Sequence, residues 1–512
     1  MWRVRAAAGR DRIDTRAEAR YGVADMRAPN LARTGLAVVL LTSSVRAQSR
    51  LGPAGAPITT SNYAVDLFQG PVLATARITG IAGAYVAIGE GTEGIAFNPA
   101  SASHRPVFST TYVDYDATAG ATLASSLTGT DFDNDGRKGF QYDKFVWASA
   151  GGTLQIGKFG MGAVLAAQNY ELGKPSGGSS LLPGGNEAVD GLIVRVLRLD
   201  AVASYGFFDS QLHLGAGPRI AALYGIGTAR SVVAGADGSV SLGDSVGERQ
   251  LFATQGIGAQ AGMLWTPHTL PLRAGVAVRS PILSGIDDNG SRIKQDANGN
   301  RVVGDFYLPR RVDLPWEIEW GASWQLGKRA YNGRWQDEDK LVGPEVEAER
   351  RTDSKGFKEP AFKAARRILQ RRAAALPRPI LMMSTAAIVT GPVTNGVGFE
   401  SMLEKRVQRS GERATLGLRI GAEAEVVPRW VILRLGSYLE PTRYRASPVD
   451  ARVGGELPDP QVRLHGTAGA QVKLFTWDVF KLFPERSEWR ISLSGDVARQ
   501  YFGWGFGLGL WH

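Results

Sequence analysis

The chain has 512 residues, with 59 Lys and Arg against 49 Asp and Glu, for a formal net charge of +10. It has no cysteine, which excludes disulfides, thiolate zinc sites, iron–sulfur clusters and Cys nucleophiles. Glycine fills 64 positions, well above the usual share of about 7%, and because glycine costs about 1 kcal/mol per helical position this argues against a mostly helical enzyme.

Residues 1–25 are rich in Arg and Ala and read as an extension ahead of the natural initiator, Met26. Residues 26–47 read as a signal peptide. Arg27 and Arg33 precede the apolar run Leu36–Leu41, and Val45-Arg46-Ala47 closes it as a small-x-small cleavage site. The run is far shorter than the about 20 residues of a membrane helix. No later run is long enough either, so the exported chain is soluble or crosses a membrane as strands. Residues 48–104 follow, glycine-rich around Gly80, Gly83 and Ala84 and ending at Asn98-Pro99-Ala100. Glycine permits positive φ and close approach, and Asn-Pro sets a turn. The segment suits either a plug folded among inward-pointing side chains or an ordinary buried turn.

Period two then dominates. In 413–426, Leu416, Leu418, Ile420 and Ala422 oppose Thr415, Arg419 and Glu423. In 461–474, Val462 and Leu464 oppose Arg463 and His465; 314–326 and 489–497 alternate likewise. Fourteen strands are predicted, at 106–116, 142–156, 160–171, 191–206, 211–225, 250–265, 272–282, 313–326, 379–391, 413–427, 430–440, 461–475, 487–498 and 501–512. A soluble sandwich also alternates, but its strands average about 5–6 residues. These are nearer the about 9–11 of a membrane strand, and Trp265, Trp316, Trp324, Trp430, Trp489 and Trp511 sit near their ends as an interface belt would. The fold expected is all-β, a transmembrane antiparallel β-barrel of about fourteen strands over 105–512. The last strand should turn Phe502, Trp504, Phe506, Leu508 and Leu510 to lipid, and its penultimate Trp511 offers an aromatic end to the barrel assembly machinery.

Connections alternate. Short turns fall at 157–160, 207–210, 267–271 and 427–430, and long loops at 117–141, 172–190, 226–249, 283–312, 392–412 and 441–460, as periplasmic turns and external loops do. The exception is 328–378, a highly charged, partly helical insertion where a short periplasmic turn belongs. Its helix places Phe362, Ala365, Leu369, Ala373 and Leu376 on one face. It could lie on an anionic membrane or pack on the barrel rim or a partner. In an external loop, Asp131-Phe132-Asp133-Asn134-Asp135-Gly136 matches the start of a calcium loop, with oxygen ligands from Asp131, Asp133 and Asp135, although position twelve is Tyr142 where Glu is wanted. Calcium and a plain hydrophilic loop both stay open there, and no other cofactor is implied. The five His form no metal spacing, and no HExxH or GxSxG motif occurs. No residue is therefore a catalytic candidate, and nothing indicates nucleic acid.

The stretch 74–102 resembles the N-terminal hatch of FadL-type outer-membrane transporters of long-chain fatty acids and hydrophobic compounds. Its Gly80, Gly83, Ala84, Ala87, Asn98, Pro99 and Ala100 stand at the positions of that hatch's pattern. Gly275–Pro281 and Arg434–Pro441 are similar to two further strand-end patterns of the family. The resemblance implies a barrel integral to the outer membrane of a Gram-negative bacterium, in contact with its lipid, with residues 48–104 as a hatch in its lumen. It implies passive, hatch-gated diffusion of a hydrophobic small molecule, with Arg279 and Arg434 as candidates for a ligand's carboxylate. The competing class is a non-transporting scaffold barrel that docks secretion or surface partners. Faces assigned to the lumen also hold Glu317, Glu319, Arg419, Glu423, Glu425 and Arg463, and these charges could instead pair with one another and hold the hatch.

Overall fold

The computed structural model describes residues 51–68, 70–105, 112–124, 131–136, 141–173, 180–181, 187–237, 239–286, 294–303, 306–332, 342–348, 364–365, 368, 371, 379–444, 461–477 and 487–510. Signal peptide and N-terminal extension lie outside them. Fourteen strands pair antiparallel, each with its neighbours in sequence: β1 (Val113–Ala124), β2 (Gln141–Ile156), β3 (Phe159–Gly173), β4 (Glu187–Phe207), β5 (Leu212–Ala234), β6 (Val240–Trp265), β7 (Leu272–Arg279), β8 (Glu317–Gly327), β9 (Pro379–Thr390), β10 (Thr415–Val427), β11 (Val431–Glu440), β12 (Arg463–Trp477), β13 (Ser487–Ala498) and β14 (Tyr501–Leu510). β1 bonds β14, with Thr118 opposite Gly509, so the sheet closes and its strands have no free edge.

Alternation sorts the faces as expected. Leu416, Leu418 and Ile420 of β10, Leu464 of β12, and Ile491, Leu493 and Val497 of β13 are exposed. Arg463, His465, Arg490 and Asp496 on the same strands are buried inside. Trp265, Trp320, Trp430 and Trp504 are also exposed. A closed wall with an apolar exterior and a charged interior is a transmembrane barrel, because lipid satisfies no backbone group and tolerates no bare charge. Among the described residues no helix is long and apolar enough to cross a membrane.

Several boundaries differ from expectation. The first strand is Val113–Ala124 rather than 106–116, of which 106–111 lie outside the described residues. Its inward positions Gly120 and Thr122 face protein instead of water, and its outward ones, Ala119 and Ala121, are small. The polarity contrast that marks a strand is therefore weak. The expected loop at 226–249 is mostly strand: β5 and β6 run for 23 and 26 residues and turn over only at 235–239. That length exceeds the about 9–11 residues a bilayer needs. The overhang carries outward charges such as Glu248, which pairs with Arg195 of β4 at 3.3 Å, and register shifts at Gly225, Ala229 and Arg230 break its period. Leu510, expected to face lipid, is covered; it lies opposite Trp489.

The long loops cover one end. Ala64–Asp66 pairs in parallel with Arg311–Leu314 and with Gly396–Val397. Tyr63, Val65 and Leu67 share a core with Phe306, Val312, Phe399 and Met402. Asp66 receives Arg443 at 2.7 Å and the Ser410 hydroxyl at 2.8 Å, all buried. The described parts of the expected loops 283–312 and 392–412 thus form a cap seated on the N-terminal segment. At the other end the insertion holds two helical pieces. Residues 342–348, with Pro344 in the first turn, place Val342 and Val346 against Ala364, Ala365 and Ile368. Ala365 is on the buried face as expected; Phe362, Leu369, Ala373 and Leu376 lie outside the described residues.

Candidate functional site

Between cap and short-turn end, residues 70–105 fill the lumen. A short helix, Ala76–Gly80, ends in a reversal through Ala82 (φ +57°) and Gly83 (φ +73°). Ala84 then packs with Val86, Ala277 and Ala386 of hatch and wall. Asn98 caps the turn of 3-10 helix Pro99–Ser103: its side chain accepts from the Ala100 amide at 3.1 Å and donates to the carbonyls of Val86 (2.8 Å) and Met263 (3.0 Å). That one amide group closes the hatch on itself and ties it to β6. The fixed φ of Pro99 suits the first position of such a turn.

Wall glycines explain much of the glycine surplus. Gly421 and Gly436 stand directly opposite each other on β10 and β11. A Cβ on Gly421 would lie 2.5 Å from the Ile81 carbonyl oxygen, and one on Gly436 2.7 Å from the Ile81 carbonyl carbon. The hatch backbone therefore rests in a notch that any side chain would fill. Gly215, Gly262 and Gly275 meet Pro99, Asn98 and Val86 in the same way. Gly421→Val is expected to leave the outer face of β10 intact while displacing the hatch. Limited proteolysis of the purified barrel should then cut within 74–104 at least several-fold faster than in the wild type; equal rates would show that the notch does not hold the hatch.

Two sets of buried charges surround the hatch. In the lower set, Arg77 of the hatch meets Glu423 at 3.2 Å and Glu90 at 3.1 Å. Arg434 also meets Glu423 at 2.5 Å, Arg273 meets Glu90 at 2.7 Å, and Arg490 meets Glu93 at 3.0 Å. In the upper set, Asp200 binds Arg198 at 2.9 Å and Arg219 at 3.1 Å. Glu319 binds Arg279 at 3.1 Å and Arg419 at 3.2 Å, and Glu317 binds Arg279 at 3.3 Å. Arg279 also donates to the Phe97 carbonyl of the hatch at 2.7 Å. Arg279 and Arg434 thus both engage protein carboxylates, the arrangement in which lumen charges hold the hatch. The two are not brought together: Arg434 belongs to the lower set and Arg279 to the upper. Arg463 stands apart, bonded to Glu440 at 2.7 Å.

Sequence reasoning did not single out Arg77, Arg198, Arg219 or Arg273. The signal was there for one pair, since Asp200 and Arg219 are inward-facing cross-strand neighbours on β4 and β5. In the upper set, four cations (Arg198, Arg219, Arg279, Arg419) face three carboxylates (Asp200, Glu317, Glu319), leaving one positive charge over. Beside it is a lumen cavity of about 110 Å³ lined by Leu67, Phe68, Val196 and Leu314 together with Arg198, Arg219, Gln168 and the Glu317 carboxylate.

Arg273 joins the hatch to the insertion. Buried on β7, it donates to the Ile88 carbonyl (2.9 Å) and Glu90 on the hatch. It also donates to the Tyr331 carbonyl (2.7 Å) and the Asn332 side chain (2.9 Å) where the insertion begins. Asn332 in turn donates to the carbonyls of Pro267, Leu270 and Leu272. The calcium-like Asp131, Asp133 and Asp135 lie among the cap loops, where Gln408 and Tyr444 bond Asp135 and Asp133.

No family model matches this chain, and no curated protein matches it. Solved structures similar to it include a Pseudomonas aeruginosa FadL homologue, 12% identical, covering 88% of this chain and 99% of that one with a TM-score of 0.47. They also include the CymD monoaromatic hydrocarbon channel, 11% identical, covering 86% of this chain and 96% of that one with a TM-score of 0.42.

Proposed function

We propose that this chain is a FadL-type barrel of a Gram-negative outer membrane that lets hydrophobic compounds diffuse inward past a movable hatch, long-chain fatty acids among them. One observation carries the reading: the lumen cavity is apolar on one side and edged on the other by Arg198, Arg219 and Glu317, members of a charge set with one cation over. That is the chemistry of a chain with an anionic head group, since a charge-assisted Arg–carboxylate bond is roughly twice as strong as a neutral one. At about 110 Å³ the cavity is smaller than the roughly 300–1,000 Å³ of typical ligand pockets, so passage requires hatch and N-terminal segment to move. Arg198 is the better candidate for the head group, because it lines the cavity and is a quarter exposed, whereas Arg434 has only 1% of its side chain exposed.

Purified barrel should bind oleate more tightly than oleyl alcohol. Arg198→Ala should weaken oleate about tenfold, in line with about 1.5–3 kcal/mol for a hydrogen bond to a charged group, and leave the alcohol unchanged. Equal binding of both ligands by wild type and variant would remove the head-group role. Binding of neither, with normal growth of a deletion strain on fatty acids, would favour the scaffold.

The insertion offers the scaffold reading its one specific support, a small core of its own outside the wall. Excising 333–376 and joining the ends with a short Gly/Ser turn keeps Tyr331 and Asn332 on Arg273, so the barrel should assemble and show its heat-modifiable band. Under the transport reading uptake survives the excision. Under the scaffold reading partner capture is lost. A Cys introduced at Ser354, which lies outside the described residues, should resist labelling in intact cells; labelling there would reverse the topology.

A further inference from the structure

We propose that Asp131, Asp133, Asp135 and Gln408 form a calcium site that fastens the cap loops to one another. Carboxylate oxygens of the three aspartates lie within 4.8 Å of one another, a spacing that oxygen ligands at about 2.3–2.6 Å from one Ca²⁺ span. Each aspartate is also positioned from outside the turn or by its backbone. Asp131 accepts from the amides of Asp135 (3.0 Å) and Gly136 (3.1 Å). Asp133 accepts from the Tyr444 hydroxyl at 2.5 Å through one oxygen, while its other oxygen is buried without a partner. The independent sign comes from a different loop. Gln408, 6% exposed, places its amide against Asp135, its nitrogen 2.7 Å from the carboxylate, and its Oε1 is buried with no hydrogen bond. A buried amide oxygen without a donor costs about 1–3 kcal/mol, and a neutral amide oxygen is an ordinary calcium ligand.

Three converging carboxylates repel. Arg463 reaches the main-chain oxygens of Asp131 and Phe132. A divalent cation would convert this repulsion into cross-linking. The ligands belong to the β1–β2 and β9–β10 loops, and Tyr444 brings in the β11–β12 loop. The missing Glu at position twelve of the motif is no obstacle, because the site draws its further ligand from Gln408 instead of its own loop.

Tyr444 makes the site readable. Terbium replaces calcium among oxygen ligands, and its emission is sensitised by an aromatic ring in contact with a ligand. Full-length protein, purified in detergent and stripped with EGTA, should give saturable terbium emission that calcium displaces far more readily than magnesium. Asp133→Asn should weaken terbium and calcium by more than about tenfold, and Gln408→Leu by about tenfold, with the heat-modifiable band kept in both. Calcium should also slow proteolysis of the cap in wild type and not in Asp133→Asn. Absence of a saturable, calcium-displaceable signal in wild type would overturn the proposal, as would undiminished affinity in Gln408→Leu; equal displacement by magnesium would overturn the assignment to calcium.

Discussion

Replacing Arg77 with Met is expected to unlatch the hatch while leaving the barrel assembled. Arg77 is the hatch's cation in the lower charge set, bonded to Glu423 of the wall and to Glu90 and the Tyr85 hydroxyl of the hatch. Removing it strands no carboxylate. Glu423 keeps Arg434, Glu90 keeps Arg273, and Glu93 keeps Arg490. Removing one partner of a buried pair costs about 3–5 kcal/mol when the other is left bare. Here no carboxylate is left bare, so the loss should fall below that range and be borne by hatch docking. Glu423→Gln is the harsher change, because it leaves Arg77 and Arg434 facing each other with no shared carboxylate. Dye efflux from liposomes should therefore rise in Arg77→Met with a normal heat-modifiable band. In Glu423→Gln the yield of assembled barrel should fall as well. If both variants match the wild type in efflux and yield, the ion pairs contribute nothing to closure.

Leu508→Arg is expected to lower assembly of the barrel steeply. Leu508 is exposed on the lipid face of β14, paired across to Ala119 of β1 and Ile491 of β13, both outward. An arginine on that face costs about 2–4 kcal/mol near the bilayer midplane. The paired control is Gly507, one residue earlier and facing the lumen opposite Gly120 and Ser492. Gly507→Ser should assemble normally, since a Cβ there meets nothing closer than 3.5 Å. The fraction of heat-modifiable protein in outer membranes measures both. Equal yields for Leu508→Arg and wild type would place β14 one residue out of register.

How much was legible depends on where polarity contrast was available. Ile420 and Arg419 announce a wall residue and a lumen residue because one meets lipid and the other does not. The same contrast located thirteen of the fourteen strands to within a few residues or through most of their length. It failed at β1, where small residues face protein on the inside, and in the β5–β6 overhang, where both faces leave lipid. Asn98-Pro99-Ala100 and Gly83 carried a turn in their own chemistry, and the turn is where they are. The partners of Arg279 and Arg434 were not legible. A charge at an inward position states that it must be neutralised, and many carboxylates can do that.

Local composition and period determined the class of fold, the strand count, the faces and the presence of tight glycine-rich turns ahead of the barrel, because each depends on a residue and its near neighbours in sequence. Only the closed structure decided what the plug touches. Arg77 and Glu423 are 346 positions apart, and Asp66 and Arg443 are 377. Such pairs form because closure into a cylinder of set circumference brings distant strands to one lumen, where a buried charge must find a partner among those present.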